Sequence, residues 1–312
     1  MRSSGIQRLG LSAAIVVAAF LVVALFSRPH NTAGPCLVTS RAMLPDVSEA
    51  SGLAVSRDHP GLLWTHNDSG NDAVLFALDA SGAMLGRVRV PILMRDWEDI
   101  SAAPCGSLRL RSGKARDCLY LGDIGDNSFN RRRIQVLVVA EPDPAAAETA
   151  HPEIVNVVYP DSAHNAEALF VAGGRLFIVT KDRVGTLYGS VAPLGEEHEI
   201  TLRRISALGL EAVTDAEAST DEMSVAVRTS HEVLIYRTAE LIDGGVTPRS
   251  RIPIDRLGEP QGEAVALGEN GRLYLASEGR PWNRAGRFIS LRCELGAGSG
   301  AGSDRGSQIP DL

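Results

Sequence analysis

The chain has 312 residues, 44% of them hydrophobic and 22% charged, with a formal net charge of −7. This composition supplies enough apolar surface for a core and excludes a disordered chain. The acidic balance argues against nucleic acid as a partner.

In chain order, the first element is an apolar run. Arg2 and Arg8 flank the uncharged residues 9–26. A basic flank before such a run reads as a secretory signal peptide or a membrane anchor. Residues 1–35 are therefore expected to be an apolar helix and a short linker. They export the chain and are its only contact with a membrane; cleaved and anchored forms are equally compatible with the pattern. Four cysteines in an exported chain predict two disulfides. No C-x-x-C pair is present, so a structural zinc site is not expected. Cys105 and Cys118 flank a polar stretch and are expected to close it, which leaves Cys36 with Cys293.

Between Cys36 and Glu294 no long helical periodicity appears. Short β-branched and apolar runs, such as Leu62-Leu-Trp-Thr and Leu176-Phe-Ile-Val-Thr, alternate with Gly, Pro, Asn and Asp. The runs repeat behind an acidic marker: Glu49-Ala-Ser-Gly-Leu-Ala-Val, Glu98-Asp-Ile-Ser-Ala-Ala, Glu167-Ala-Leu-Phe-Val-Ala, Glu217-Ala-Ser and Glu263-Ala-Val-Ala-Leu. Asp215 is an alternative marker for the fourth copy. The markers lie 49, 69, 50 and 46 residues apart, the long interval holding the loop between Cys105 and Cys118. Four strands per period of this length indicate propeller blades. A β-sandwich also has short, regularly spaced strands, but it does not require a recurring marker.

The expected fold is all-β: a single β-propeller over residues 36–295, with five four-stranded blades, or six if two copies are merged. An N-terminal strand at 37–43 closes the ring beside 287–293, and a Cys36–Cys293 bond locks it. Residues 296–312, mostly Gly, Ser and Ala, are expected to be disordered.

In such a blade the first strand starts, and the second ends, on the same face. The markers and the second-strand ends should therefore meet at one funnel mouth. Glu49, Asp68, Glu98, Asp123, Glu167, Glu263 and Glu278 are the candidate cation ligands, since oxygen donors suit Ca²⁺ or Mg²⁺. His66, Glu98 and Asp123 are the candidate catalytic groups. Asn67, Asp126, Asn127, Lys181 and Arg228 are the candidate contacts to a small polar or anionic ligand. The competing structural reading has the marker carboxylates capping backbone N–H groups at blade junctions. Arg131-Arg-Arg reads as a solvated hairpin end, and Trp64, Trp97 and Trp282 as core or funnel wall. No G-x-S-x-G, H-E-x-x-H, P-loop or dinucleotide fingerprint occurs.

At Glu49-Ala-Ser-Gly-Leu, His66-Asn-Asp-Ser-Gly, Asp96-Trp-Glu-Asp-Ile and Gly122-Asp-Ile-Gly-Asp-Asn the chain resembles secreted actinobacterial β-propeller proteins. Gln261-Gly-Glu-Ala-Val with Leu273-Tyr-Leu-Ala-Ser-Glu-Gly is similar to the phytase-like esterase propellers. The resemblance implies a calcium-binding propeller that hydrolyses phosphomonoesters. The residues themselves imply a monomeric, extracytoplasmic cation-dependent phosphate or ester hydrolase. The rival expectation is a non-catalytic propeller that binds a cell-surface glycan, peptide or protein. A purely structural envelope protein is the third.

Overall fold

The computed structural model describes residues 31–195, 197, 199–279 and 285–295. The apolar run 9–26, the tail from 296 and Trp282 lie outside the described residues. Among the described residues no helix is long and apolar enough to cross a membrane.

The structure is built from antiparallel four-stranded meanders. The first contains β3 (Ala50–Val55), β4 (Leu62–Asn67), β5 (Val74–Asp79) and β6 (Met84–Arg89). The second contains β7 (Trp97–Pro104), β8 (Asp117–Asp123), β9 (Arg133–Ala140) and β10 (Glu153–Val158). The third contains β11 (Ala166–Ala172), β12 (Arg175–Thr180), β13 (Thr186–Ser190) and β14 (Glu199–Ala207). The fourth contains β15 (Val213–Ala218), β16 (Ser224–Thr229), β17 (Glu232–Arg237) and β18 (Ser250–Pro253), with a short helix α1 (Thr238–Ile242) before its last strand. The last contains β19 (Gln261–Leu267), β20 (Arg272–Glu278) and β21 (Gly286–Cys293).

That last meander is completed by the start of the chain. β2 (Cys36–Leu44) pairs antiparallel with β21, and the two-residue β1 (Thr32–Ala33) adds to its edge. Cys36 stands opposite Cys293 and is bonded to it, while Cys105 is bonded to Cys118 across the loop of the second meander. Both disulfides match the pairing expected from the sequence. They accord with an extracytoplasmic protein, because such bonds persist in oxidising compartments.

The first strands of the meanders pack in a ring: β3 on β7, β7 on β11, β11 on β15, β15 on β19, and β19 back on β3. Adjacent meanders bury apolar clusters between them. Trp64, Leu75 and Val88 meet Ile100, Leu121 and Leu137 at one junction. At the closing junction Leu53 and Phe76 meet Tyr274 and Phe288. The arrangement is propeller-like, and its burial explains the sequence. Inner strands such as β11 and β15 are buried throughout, so they lack polar alternation and read as apolar and small residues interrupted only by buried carboxylates and Thr214. The peripheral strand β2 alternates exposed and half-buried positions between its two buried ends. The outer strands β10 and β14 pair in parallel, joining two meanders into one eight-stranded sheet. No feature of the repeat anticipated this pairing.

Candidate functional site: an acidic mouth

Each innermost strand is interrupted at the same place. Its register with the second strand shifts between Ala50 and Leu53, Trp97 and Asp99, Ala166 and Ala168, Val213 and Asp215, and Gly262 and Ala264. A bulge of this kind leaves a residue outside the ladder and re-aims its side chain. The residues set free are Glu98, Glu167, Thr214 and Glu263, with Ser51-Gly52 in the first meander. The structural repeat therefore runs through Ser51 and Thr214, not through Glu49 and Glu217 as the sequence markers suggested. Ser51 Oγ donates to the Glu98 carbonyl at 2.6 Å, and Thr214 Oγ1 to the Glu263 carbonyl at 2.9 Å. These two positions join neighbouring meanders, while the three glutamates remain as acids.

The acids act on one another across the ring. Glu98 is pushed up to about 10, by burial first and then by Asp68, Glu167 and Asp96. Glu167 is raised to about 7 by burial, against the pull of Lys181, with Glu263 and Asp68 adding to the rise. Glu278 is also raised to about 7, by burial and then by Glu263, Asp68 and Glu49. Lys181 Nζ pairs with Glu167 Oε2. Burial draws the Lys181 ammonium down, but Glu167, Glu263 and Glu98 outweigh it and its net shift is upward. The first and second strands thus bring Glu49, Asp68, Asp96, Glu98, Glu167, Glu263, Glu278 and Lys181 into one electrostatic neighbourhood.

Within it, one oxygen each from Asp68, Asp96 and Glu98 lies within 4.8 Å of the others. Oxygens bound to a shared Ca²⁺ at roughly 2.3–2.6 Å can be this far apart. Asp68 and Asp96 are half-buried and both are raised by burial; Arg131 opposes the rise at Asp96. A side chain at Gly125 would collide with the Glu98 and Asp96 carboxylates, so glycine leaves room for both. Asp96 belongs to the Asp96-Trp-Glu-Asp-Ile motif but not to the expected ligands, and Gly125 is not among the expected site residues. The only sequence signal for Gly125 is its place in Gly122-Asp-Ile-Gly-Asp-Asn.

Other expected site residues serve the framework. His66 is fully buried, with Nδ1 2.9 Å from the Asn67 carbonyl and its ring edge-on to Trp97 at 5.7 Å. Burial lowers it to about 4, so it is neutral and sealed from the mouth, not a base there. Asp123 accepts from Arg131 Nη2 at 2.7 Å in a buried ion pair. Its charge is thereby matched, and the cation-ligand and catalytic roles expected for it do not fit. Asp126 accepts from the Arg131 N–H at 2.6 Å. Asn165 ties the next meander to this turn, accepting from the Asp126 N–H and donating to Asn127 Oδ1 at 3.1 Å. Asn67 is buried and accepts from the Glu49 N–H at 2.9 Å. Arg228 is fully buried: Nη1 donates to the Ala264 carbonyl and Nη2 to Glu259, both at 2.7 Å. It cannot reach a ligand. Arg131 is buried too, unlike the solvated residue expected; Arg132 and Arg133 are exposed.

Below the mouth lies a second set of carboxylates. Asp99 Oδ2 accepts from the Leu169 N–H at 2.6 Å, and Asp215 Oδ2 from the Val265 N–H at 2.6 Å. Glu217 Oε1 accepts from the Ala102 N–H at 3.1 Å, across the ring. Burial holds Asp99 and Asp215 well above the usual carboxylate range and Glu217 at about 8. Asp215 caps an N–H at a blade junction, as the competing reading has it, and Asp99 does the same beside the marker Glu98; Glu217 caps one across the ring.

No family model and no curated protein sequence matches the chain. Among solved structures, the PQQ-bound aldose sugar dehydrogenase of Streptomyces coelicolor aligns over 85% of this chain and 99% of its own, at 11% identity and a TM-score of 0.48. A gluconolactonase from Xanthomonas campestris covers 86% and 92%, at 10% identity and 0.45. A calcium-binding regucalcin from Agrobacterium tumefaciens covers 80% and 94%, at 13% identity and 0.41.

Proposed function

We propose that this is an exported five-bladed propeller whose acidic mouth binds Ca²⁺ and hydrolyses a small polar ester or phosphate. The observation that carries the reading is the convergence of Asp68, Asp96 and Glu98. A crowded carboxylate such as Glu98, raised to about 10, is relieved either by a proton or by a cation. A divalent ion held by these three would polarise a carbonyl or phosphoryl oxygen. The chain's own groups supply the rest. Glu167 and Glu278, both near 7, titrate where a general base is effective at neutral pH. Lys181, beside Glu167, offers a positive charge to an anionic substrate group.

A second reading, non-catalytic binding of a cell-envelope glycan, peptide or protein at the same face, draws on exposed apolar side chains. Leu93 and Phe129 are 94% and 65% exposed on the loops before β7 and after β8. They suit contact with a larger partner.

Ca²⁺ should raise the melting temperature of the purified protein, a chelator should reverse the rise, and Mg²⁺ should shift it less. Asp96→Asn with Glu98→Gln should abolish the response. Equal melting curves with Ca²⁺ and with chelator would remove the cation. A screen of phosphate, ester and lactone substrates then separates the two readings: turnover lost in Glu278→Gln supports the hydrolase, and no turnover on any substrate supports the binder.

A further inference from the structure

We infer that the opposite end of the ring is a separate binding site for a small multivalent oxyanion. A cavity of about 680 Å³ opens there, within the roughly 300–1,000 Å³ usual for small-molecule pockets. Its position follows from its walls: Val55, Pro104, Thr220 and Gly268 lie at or just beyond the far ends of β3, β7, β15 and β19. The mouth lies at the near ends of those strands.

The lining carries four guanidinium groups, Arg57, Arg116, Arg272 and Arg292, and two carboxylates, Asp117 and Glu269. Asp117 is already spent. It accepts from Arg57 Nε at 2.8 Å and from Arg116 Nε at 2.5 Å. Arg57 also donates through Nη1 to the Thr220 carbonyl at 2.6 Å, so it is held in place across the end of the ring.

Arg272 and Arg292 stand directly opposite each other on β20 and β21. Like charges in direct register destabilise a sheet. Neither side chain has an acidic or hydrogen-bonding partner among the described residues. An oxyanion between them would satisfy both, since guanidinium binds phosphate and carboxylate oxygens in a fork. Arg116 Nη2 also meets Asp58 Oδ1 at 2.9 Å, so in this chain of net charge −7 the local surplus of positive charge rests on the facing pair Arg272 and Arg292. The two ends of the ring thus differ in chemistry: carboxylates for a cation at one, guanidinium groups for an anion at the other.

The test is titration calorimetry of the full chain in metal-free buffer, with pyrophosphate and with citrate as probes. One-to-one binding with Kd of about 1 mM or tighter is expected for at least one probe, weakening as salt rises. Arg272→Gln with Arg292→Gln should weaken it at least about tenfold. Both side chains are exposed, and an unchanged melting temperature would show that the double variant folds. Glu98→Gln, at the other end, should leave the affinity unchanged. Absence of binding by both probes overturns the inference, as does binding that the double arginine variant retains or that Glu98→Gln abolishes. Failure of the calcium response at the mouth would leave this result standing.

Discussion

At the residue scale, buried ionisable groups are here mostly parts of the frame. His66 shows what that means for stability. Its value is about 4 in the fold against 6.5 for a free side chain, because burial disfavours the imidazolium. Between those values the unfolded chain holds a proton that the fold does not. Stability therefore falls as pH drops from 6.5 towards 4, by up to about 3 kcal/mol. Replacing His66 with Phe should flatten that part of a melting-temperature profile; parallel profiles for the two proteins would refute the assignment. Arg228 makes the complementary case. Arg228→Met would strand Glu259 as a buried acid without its hydrogen-bonded partner, facing the charge of Arg41, and chemical denaturation should report a loss of about 3 kcal/mol. The calcium response should survive, because Arg228 takes no part in the mouth.

At the element scale the recurring device is the bulge near the start of each innermost strand. A regular strand would keep Glu98, Glu167 and Glu263 in the ladder, with side chains committed to the strict alternation of faces. The bulge frees them, and a wide variety of chemistry can then be placed at one point of a repeated frame. Two copies carry Ser51 and Thr214, which join blades, and three carry acids. Gly125 completes the arrangement from the turn after β8. Ala at 125 should leave the fold intact, since only carboxylate ends must move, yet it should weaken or abolish the calcium-induced rise in melting temperature. A Gly125→Ala protein with an undiminished response would place the cation elsewhere.

At the scale of the whole molecule, stability depends on closing the ring. β2 is carried from the beginning of the chain to the last meander, and the Cys36–Cys293 bond spans 257 residues of sequence against 13 for Cys105–Cys118. In the chain-entropy model the longer loop is worth about 5.5 kcal/mol and the shorter about 3 kcal/mol. Replacing Cys36 and Cys293 with Ser should therefore lower the denaturation midpoint more than replacing Cys105 and Cys118. The reverse order would mean that the packing between β2 and β21 holds the closure unaided.

The sequence by itself determined the strand-rich architecture, the repeat, both disulfide pairs and the gathering of acids at one mouth. Each follows from local information: apolar periodicity, turn residues, cysteine count and the antiparallel return of a second strand. Only the tertiary structure decided which polar residues face that mouth. Glu49 and Glu217 look like Glu98 in the sequence, but a bulge shifts the true equivalents to Ser51 and Thr214, and register is a property of paired strands. His66, Asp123 and Arg228 sit at strand ends suited to a site, yet the next meander supplies Trp97, the fold of the following turn Arg131, and the segment leading into β19 Glu259 as their partners. The arginine-lined cavity escaped the sequence altogether, because its walls come from segments as distant as Arg57 and Arg292, brought together only when the ring closes.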